Sequence, residues 1–176
     1  MKTIKFIIVI VLLLGFDELS AQVNWQISTE TCNANEYIVK SNKYFYSITN
    51  KKYAFKGVTV DIEFDGERED AFEKRREGLL ESIYKIANGV FDFSNIPLSR
   101  KSLYKLSLIC YFDSKTKDYV GVYFLFDTEV KNYITLQKLN LLENKLLQAN
   151  INAGRTNLLE PNAKYFTKEI DIPIGK

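Results

Sequence analysis

The chain contains no histidine, two cysteines, three prolines and a single tryptophan. Each scarcity closes off some chemistry. Without imidazole there is no Ser-His-Asp triad, no Cys-His pair and none of the commonest metal ligand. Two cysteines alone do not complete a structural zinc site, which draws its ligands mainly from cysteine and histidine. No Pro- or Gly-rich linker, internal repeat or low-complexity tract interrupts the chain. An enzyme built from it has to work with carboxylates, lysine, tyrosine or serine. No catalytic constellation is apparent, and no cofactor is expected.

Charge of either sign is also in short excess: 24 basic against 22 acidic residues gives a net charge of +2. The lysines are scattered, and "EKRRE" at Glu73 to Glu77 alternates sign as a solvated helix face does. Nucleic acid is therefore not an expected partner.

Long apolar runs are absent except at the start. Met1, Lys2 and Lys5 make a short basic beginning, Phe6 to Phe16 is apolar, and Leu19-Ser20-Ala21 offers small residues before Gln22. The run falls short of the roughly 20 residues that span a bilayer, and its order is that of a secretory signal peptide. Residues 1–21 are expected to be removed, leaving an exported protein, periplasmic or extracellular, with no membrane span after cleavage. No cysteine follows the cleavage point, which argues against a lipid anchor. The mature chain, 22–176, is expected to form one domain burying roughly two-thirds of its unfolded surface. Its Ile/Val/Leu-rich leader, the "SAQ" junction and the Asn/Lys/Tyr-rich remainder resemble the small exported proteins of Bacteroidota.

The two cysteines sit in different surroundings. Cys110 in "LYKLSLICYF" keeps phase with Leu106, Leu108 and Phe112 and is expected in the core. Cys32 in polar "TETCNAN" is expected to be exposed. In an oxidising compartment a Cys32–Cys110 disulfide is one possibility, provided the N-terminal segment packs over the core strand; two free thiols is the other.

Along the mature chain, 22–40 is expected to be an irregular segment. Lys43 to Ile48 reads as a strand and Asn50-Lys51-Lys52 as a turn. In "KYAFKGVTVDIEF" the apolar phase slips at Lys56-Gly57, so Tyr53 to Phe64 reads as one bent strand with a bulge. The acidic "DIEFDGERED" that follows invites comparison with a calcium loop. Asp61, Glu63, Asp65 and Gly66 match positions one, three, five and six, yet position twelve is Phe72 and position eight is Arg68. A strand, a turn at Asp65-Gly66 and a helix start with acids in its first turn account for the same residues, so Asp61, Glu63 and Asp65 are weak metal candidates.

The helix is expected over 67–88, with Phe72, Leu79, Leu80, Ile83, Ile86 and Ala87 on one stripe. Leu103 to Phe112 and Tyr119 to Phe126 alternate as a hairpin, with Leu106, Leu108, Cys110 and Phe112 facing Val120, Val122, Phe124 and Phe126. A second helix spans 135–151, carrying Leu136, Leu139, Leu142, Leu146 and Ala149 and ending at Gly154. "YFTKEIDIPI" closes the chain as a strand that Pro173 places at or near a sheet edge. The order predicts an α+β fold, a mainly antiparallel sheet with two helices packed on one face.

The segments "LSLICYFDSKTKDYVGVYFLF", "LQKLNLLENKLLQ" and "EIDIPI", over 103–174, resemble the C-terminal domain of TonB-type energy transducers in pattern and order. The chain lacks that family's Pro-rich spacer and uncleaved anchor, so the resemblance implies the fold and not energy transduction.

For function, the sequence points to an exported non-enzymatic module that binds an envelope protein or glycan. Tyr44, Tyr46 and Tyr53 in "YFYSITNKKYAF" are the candidate contact residues. The alternative is a carboxylate hydrolase acting on envelope polysaccharide, with Asp61 and Glu63 as its acid pair.

Overall fold

A computed structural model describes residues 24–53, 55, 58–60, 69–93, 96, 104–154, 160 and 162–174. Its elements are β1 (Gln26–Cys32), β2 (Asn35–Ser41), β3 (Phe45–Asn50), β4 (Val58–Val60), α1 (Glu69–Asn88), β5 (Lys105–Asp113), β6 (Tyr119–Asp127), a 3-10 turn (Thr128–Val130), α2 (Leu136–Gln148) and β7 (Tyr165–Pro173). The strands form one seven-stranded sheet in the order β1-β2-β3-β6-β5-β7-β4. Every pairing is antiparallel except β4 with β7. The expected α+β class with a mainly antiparallel sheet is what the molecule has.

The centre of the sheet follows from period-two alternation. Leu106, Leu108, Cys110 and Phe112 of β5 are fully buried, and so are Val122 and Phe124 of β6. At roughly 1.5–3 kcal/mol per large apolar side chain, these rows dominate the folding energy. They join Ile170 and Ile172 of β7, Leu139, Leu142 and Leu146 of α2, and Ile83 and Ala87 of α1 in one core. Helix α2 packs against β6 and β1; α1 packs against α2 and β7. Thr135 caps α2 by accepting the Lys138 amide at 3.4 Å. Asn150, left-handed with φ 50°, ends it where Gly154 was expected.

Three further expectations are corrected. The register of β5 against β6 shifts between Tyr111 and Phe112, pairing Tyr111 with Gly121 and Phe112 with Tyr119. The extra residue is Val120, so Tyr119 takes the buried place assigned to Val120. The stretch 22–40, expected to be irregular, contains β1 and β2; six of the seven β1 residues are exposed, so no apolar alternation marked it. The strand expected over 53–64 is represented, among the described residues, by Val58–Val60 alone. Tyr53 and Phe55 instead lie across Gly121, where a Cβ would stand 2.9 Å from Phe55 and 3.1 Å from Tyr53. Phe55 stacks on Tyr111 at 4.1 Å and meets Tyr165 edge-on at 4.9 Å. Pro173 ends β7, which lies between β5 and β4.

Candidate interaction edge and the polar cluster behind it

The β1–β2 hairpin closes through Asn33 and Ala34, both left-handed with φ 47° and 64°, and Cys32 pairs with Asn35. Two successive positive φ values in a two-residue loop match the right-handed twist of the strands. Asparagine tolerates this conformation; alanine adopts it at a cost of about 1 kcal/mol. The turn is fixed in place by helix α2, because Asn33 Nδ2 donates to Asn140 Oδ1 at 3.2 Å.

Behind the turn lies a polar cluster inside the core. Asn140 and Glu143 on α2 and Asn50 at the end of β3 are each nearly fully buried, as is Tyr37 of β2. The Tyr37 hydroxyl donates to Glu143 Oε2 at 2.7 Å and accepts from Asn140 Nδ2 at 2.7 Å. Asn50 Nδ2 donates to the same carboxylate oxygen at 3.2 Å. Hydrogen bonds to a charged group contribute about 1.5–3 kcal/mol each, and removing one partner leaves a buried charge exposed to a medium that solvates it poorly. The cluster therefore fixes where β1, β2 and α2 sit relative to one another.

Three tyrosyl hydroxyls are held neutral here. Burial pushes the Tyr37 pKa up; the Asn140 bond opposes this and the Glu143 charge adds to it. Burial and then Glu143 raise Tyr53, whose hydroxyl feels the carboxylate without forming a well-aligned hydrogen bond to it. Tyr119 is raised by burial first, then by Cys110, Glu143 and the other two tyrosines. Among the described residues, Glu143 Oε1 and the Tyr53 and Tyr119 hydroxyls have no hydrogen-bond partner. Glu143 is the one carboxylate in the cluster, and no group of three or more Cys, Asp or Glu among the described residues is arranged to hold a metal ion.

The outer side of the hairpin is different. Among the described residues β1 pairs only with β2, and only Cys32 of its seven residues is buried. Its sequence, QISTETC, carries one charge, Glu30, and has no lysine or proline, and its pairing with β2 runs without a bulge. Charges, proline and bulges are devices by which sheet edges are made unattractive to other strands, and here Glu30 alone represents them. Trp25, Ile27, Tyr44 and Phe45 are 41%, 67%, 60% and 43% exposed. They gather at one corner: Gln26 pairs with Ser41 and Ser41 with Tyr46, so Trp25, Asn42 and Phe45 fall in line one step further out. Asn42 Oδ1 shapes the β2–β3 turn by accepting the amides of Tyr44 and Phe45 at 2.7 and 2.8 Å. Thr128 braces it by donating its amide to the Tyr44 carbonyl at 2.8 Å.

A cleft of about 500 Å³ between α1 and the segment after α2, lined by Leu79, Ser82, Lys85, Ile86, Asn150 and Asn152, is less well equipped. Its Ser82 hydroxyl is committed to the Gly78 carbonyl, and Asn152 to Thr116, Asp118 and Gly154.

The three tyrosines singled out from the sequence do not form one surface. Tyr44 is exposed in the turn, with Lys43 Nζ 5.3 Å from its ring centre. Tyr46 is half-buried, stacked on Phe126 at 5.8 Å and packed against the core. Tyr53 lies past the far end of β3, on the order of 20 Å from Tyr44 at strand rise. Cys32 and Cys110 are both free and both buried, which corrects the exposed placing of Cys32. The disulfide between them is not formed: β2, β3 and β6 lie between their strands, on the order of 15–20 Å at usual strand spacing, beyond the roughly 7 Å a disulfide bridges. Asp61, Glu63 and Asp65 lie outside the described residues, so the metal and hydrolase readings gain no geometry. Residues 1–21 lie outside them as well. No helix among the described residues is long and apolar enough to cross a membrane.

Asn140 and Glu143 were not singled out in the sequence. Their hydrogen-bond partners lie 93 to 107 positions away in the chain, so no local pattern marks them.

No protein-family model matches the chain, and no curated protein is similar to it in sequence. Among solved structures, the fold is similar to that of a DUF5043 family protein from Bacteroides uniformis ATCC 8492, with a TM-score of 0.55 and 15% identity over 86% of this chain and 93% of that one. At that identity the likeness concerns the fold alone. The comparisons do not show the resemblance to energy transducers.

Proposed function

We propose that this is an exported, non-enzymatic protein of the bacterial envelope that binds a protein partner through edge strand β1 and the apolar corner beside it. In this reading both helices pack on one face of the sheet, with α2 behind the β1–β2 hairpin and the outer backbone edge of β1 turned away from it. The observation that carries it is the seven-residue edge of β1, paired among the described residues on its β2 side only and carrying the single charge Glu30, with Trp25, Ile27, Tyr44 and Phe45 at one end. An edge of this kind recognises an extended peptide through main-chain hydrogen bonds, with side chains supplying selectivity. That chemistry favours a protein over a glycan. The polar cluster supports the same reading, because a hairpin already fixed by Asn33 and Tyr37 loses little conformational freedom when a strand is added.

Site-specific photo-crosslinking in native envelope extract tests it. A crosslinker in place of Ile27 should give a discrete protein adduct, whereas one in place of Lys85 on α1 should give none. Equal labelling at both positions, or none at either, contradicts the edge as contact surface. Export is checked separately: protein recovered from the envelope should begin at Gln22, and full-length protein confined to the cytosol would contradict it.

A further inference from the structure

Building on β1 as the contact edge, we infer that the strand it accepts is β1 of a second copy of this chain, giving a two-fold dimer in which two seven-stranded sheets run on as one. Self-pairing of an antiparallel edge succeeds only where the strand is complementary to its own reverse. Centred on Thr29, the register uses all seven residues: Thr29 faces Thr29 of the second copy, Ile27 faces Thr31, Ser28 faces Glu30, and Gln26 faces Cys32.

On one face of the joined sheet every seam residue is then β-branched, Ile27, Thr29 and Thr31 from each copy, the side-chain type that packs best across paired strands. On the other face the seam carries Gln26, Ser28 and Glu30, with the buried Cys32 at its end. Glu30, the only charge in the strand, lies opposite Ser28 and not opposite itself. Centring the pairing on Glu30 would set two carboxylates face to face, and centring it on Ser28 would use five residues instead of seven. A net charge of +2 on each whole chain offers little long-range repulsion. The same register carries the half-exposed Trp25 ring alongside the Asn33 turn of the second copy, and the β1–β2 strand pairing and the Asn33–Asn140 bond hold each edge in shape before they meet.

Light scattering after size exclusion, combined with emission from the single tryptophan, tests this. The purified protein should have twice the chain mass, with Trp25 emission shifting to shorter wavelength as concentration rises. Thr29→Lys, which sets two like charges at the two-fold, should weaken dimerisation on the order of a hundredfold while leaving the circular dichroism unchanged. Thr29→Cys should form a covalent dimer on oxidation, and Glu36→Cys on the neighbouring strand should not. Any fold loss in the lysine variant leaves the cysteine pair as the deciding test. A monomer that still gives Ile27 adducts in envelope extract overturns self-pairing and keeps β1 as the edge for another protein; a monomer without adducts overturns both. A dimer indifferent to Thr29→Lys, or larger aggregates in place of a dimer, also overturns self-pairing.

Discussion

Two hairpins of the same sheet are held by different physics. β5–β6 sits at the centre, flanked by β3 and β7, and its inward side chains are almost completely buried. Its turn is local: Asp113 Oδ1 accepts the amides of Lys115 and Thr116 at 2.8 and 3.0 Å. β1–β2 sits at the edge, where among the described residues β1 pairs with β2 alone, and its position relative to the helices is set by Asn33, Tyr37, Asn140 and Glu143. Apolar area makes the centre stable without fixing any particular pair of atoms. A few directional bonds fix the edge strand, whose outer side has no strand on it among the described residues. The role proposed for β1, receiving another strand, would benefit from that second arrangement.

The largest effect is expected in the centre. Leu108→Ala should lower the free energy of unfolding by about 3–4 kcal/mol, read from a urea midpoint, because Leu108 is fully buried between β6 and β7. Glu143→Leu should cost somewhat less, about 2–3 kcal/mol, by leaving the Tyr37 and Asn50 donors unmatched. Its signature should be regional, with amide exchange rising in β1 and β2 before it rises in β5 and β6. If both variants loosen the sheet uniformly, the two hairpins are not held differently.

Alkaline pH should act on the edge through the same cluster. Folding keeps the pKa values of Tyr37, Tyr53 and Tyr119 above the unfolded value of about 10. Their contribution to stability is complete below that pH and is lost as pH rises above it, since only the unfolded chain ionises them freely. Absorbance of tyrosinate should show these three appearing together with unfolding, after the exposed tyrosines have titrated. The smallest effect is a gain: Ala34→Gly should stabilise the protein by roughly 0.5–1 kcal/mol in thermal unfolding, because glycine takes the left-handed turn conformation without strain.

The central hairpin and both helices were legible in the sequence because apolar residues recur there with the period of the element. β1 and β2 were not legible, since exposure removes the contrast on which alternation depends: QISTET is polar on both faces apart from Ile27. Cys32 was misplaced for the same reason, its neighbours being polar although it is buried at the hairpin end. Asn140 and Glu143 extend the buried arc of α2 beyond its leucines, which amphipathic patterning cannot anticipate when the compensating groups come from strands a hundred residues earlier. Of the aromatic contact residues, Tyr44 alone shares the exposed corner with Trp25 and Phe45.

Residue-resolved amide exchange across Gln26–Cys32, compared between dilute and concentrated protein, bears most directly on β1 as an ordered strand that pairs with β1 of a second copy. The account predicts that the alternate amides of β1 that point away from β2 gain protection with concentration, while those of β6 stay equally protected throughout. Protection of β1 that is independent of concentration, or a change spread evenly over both hairpins, would contradict it.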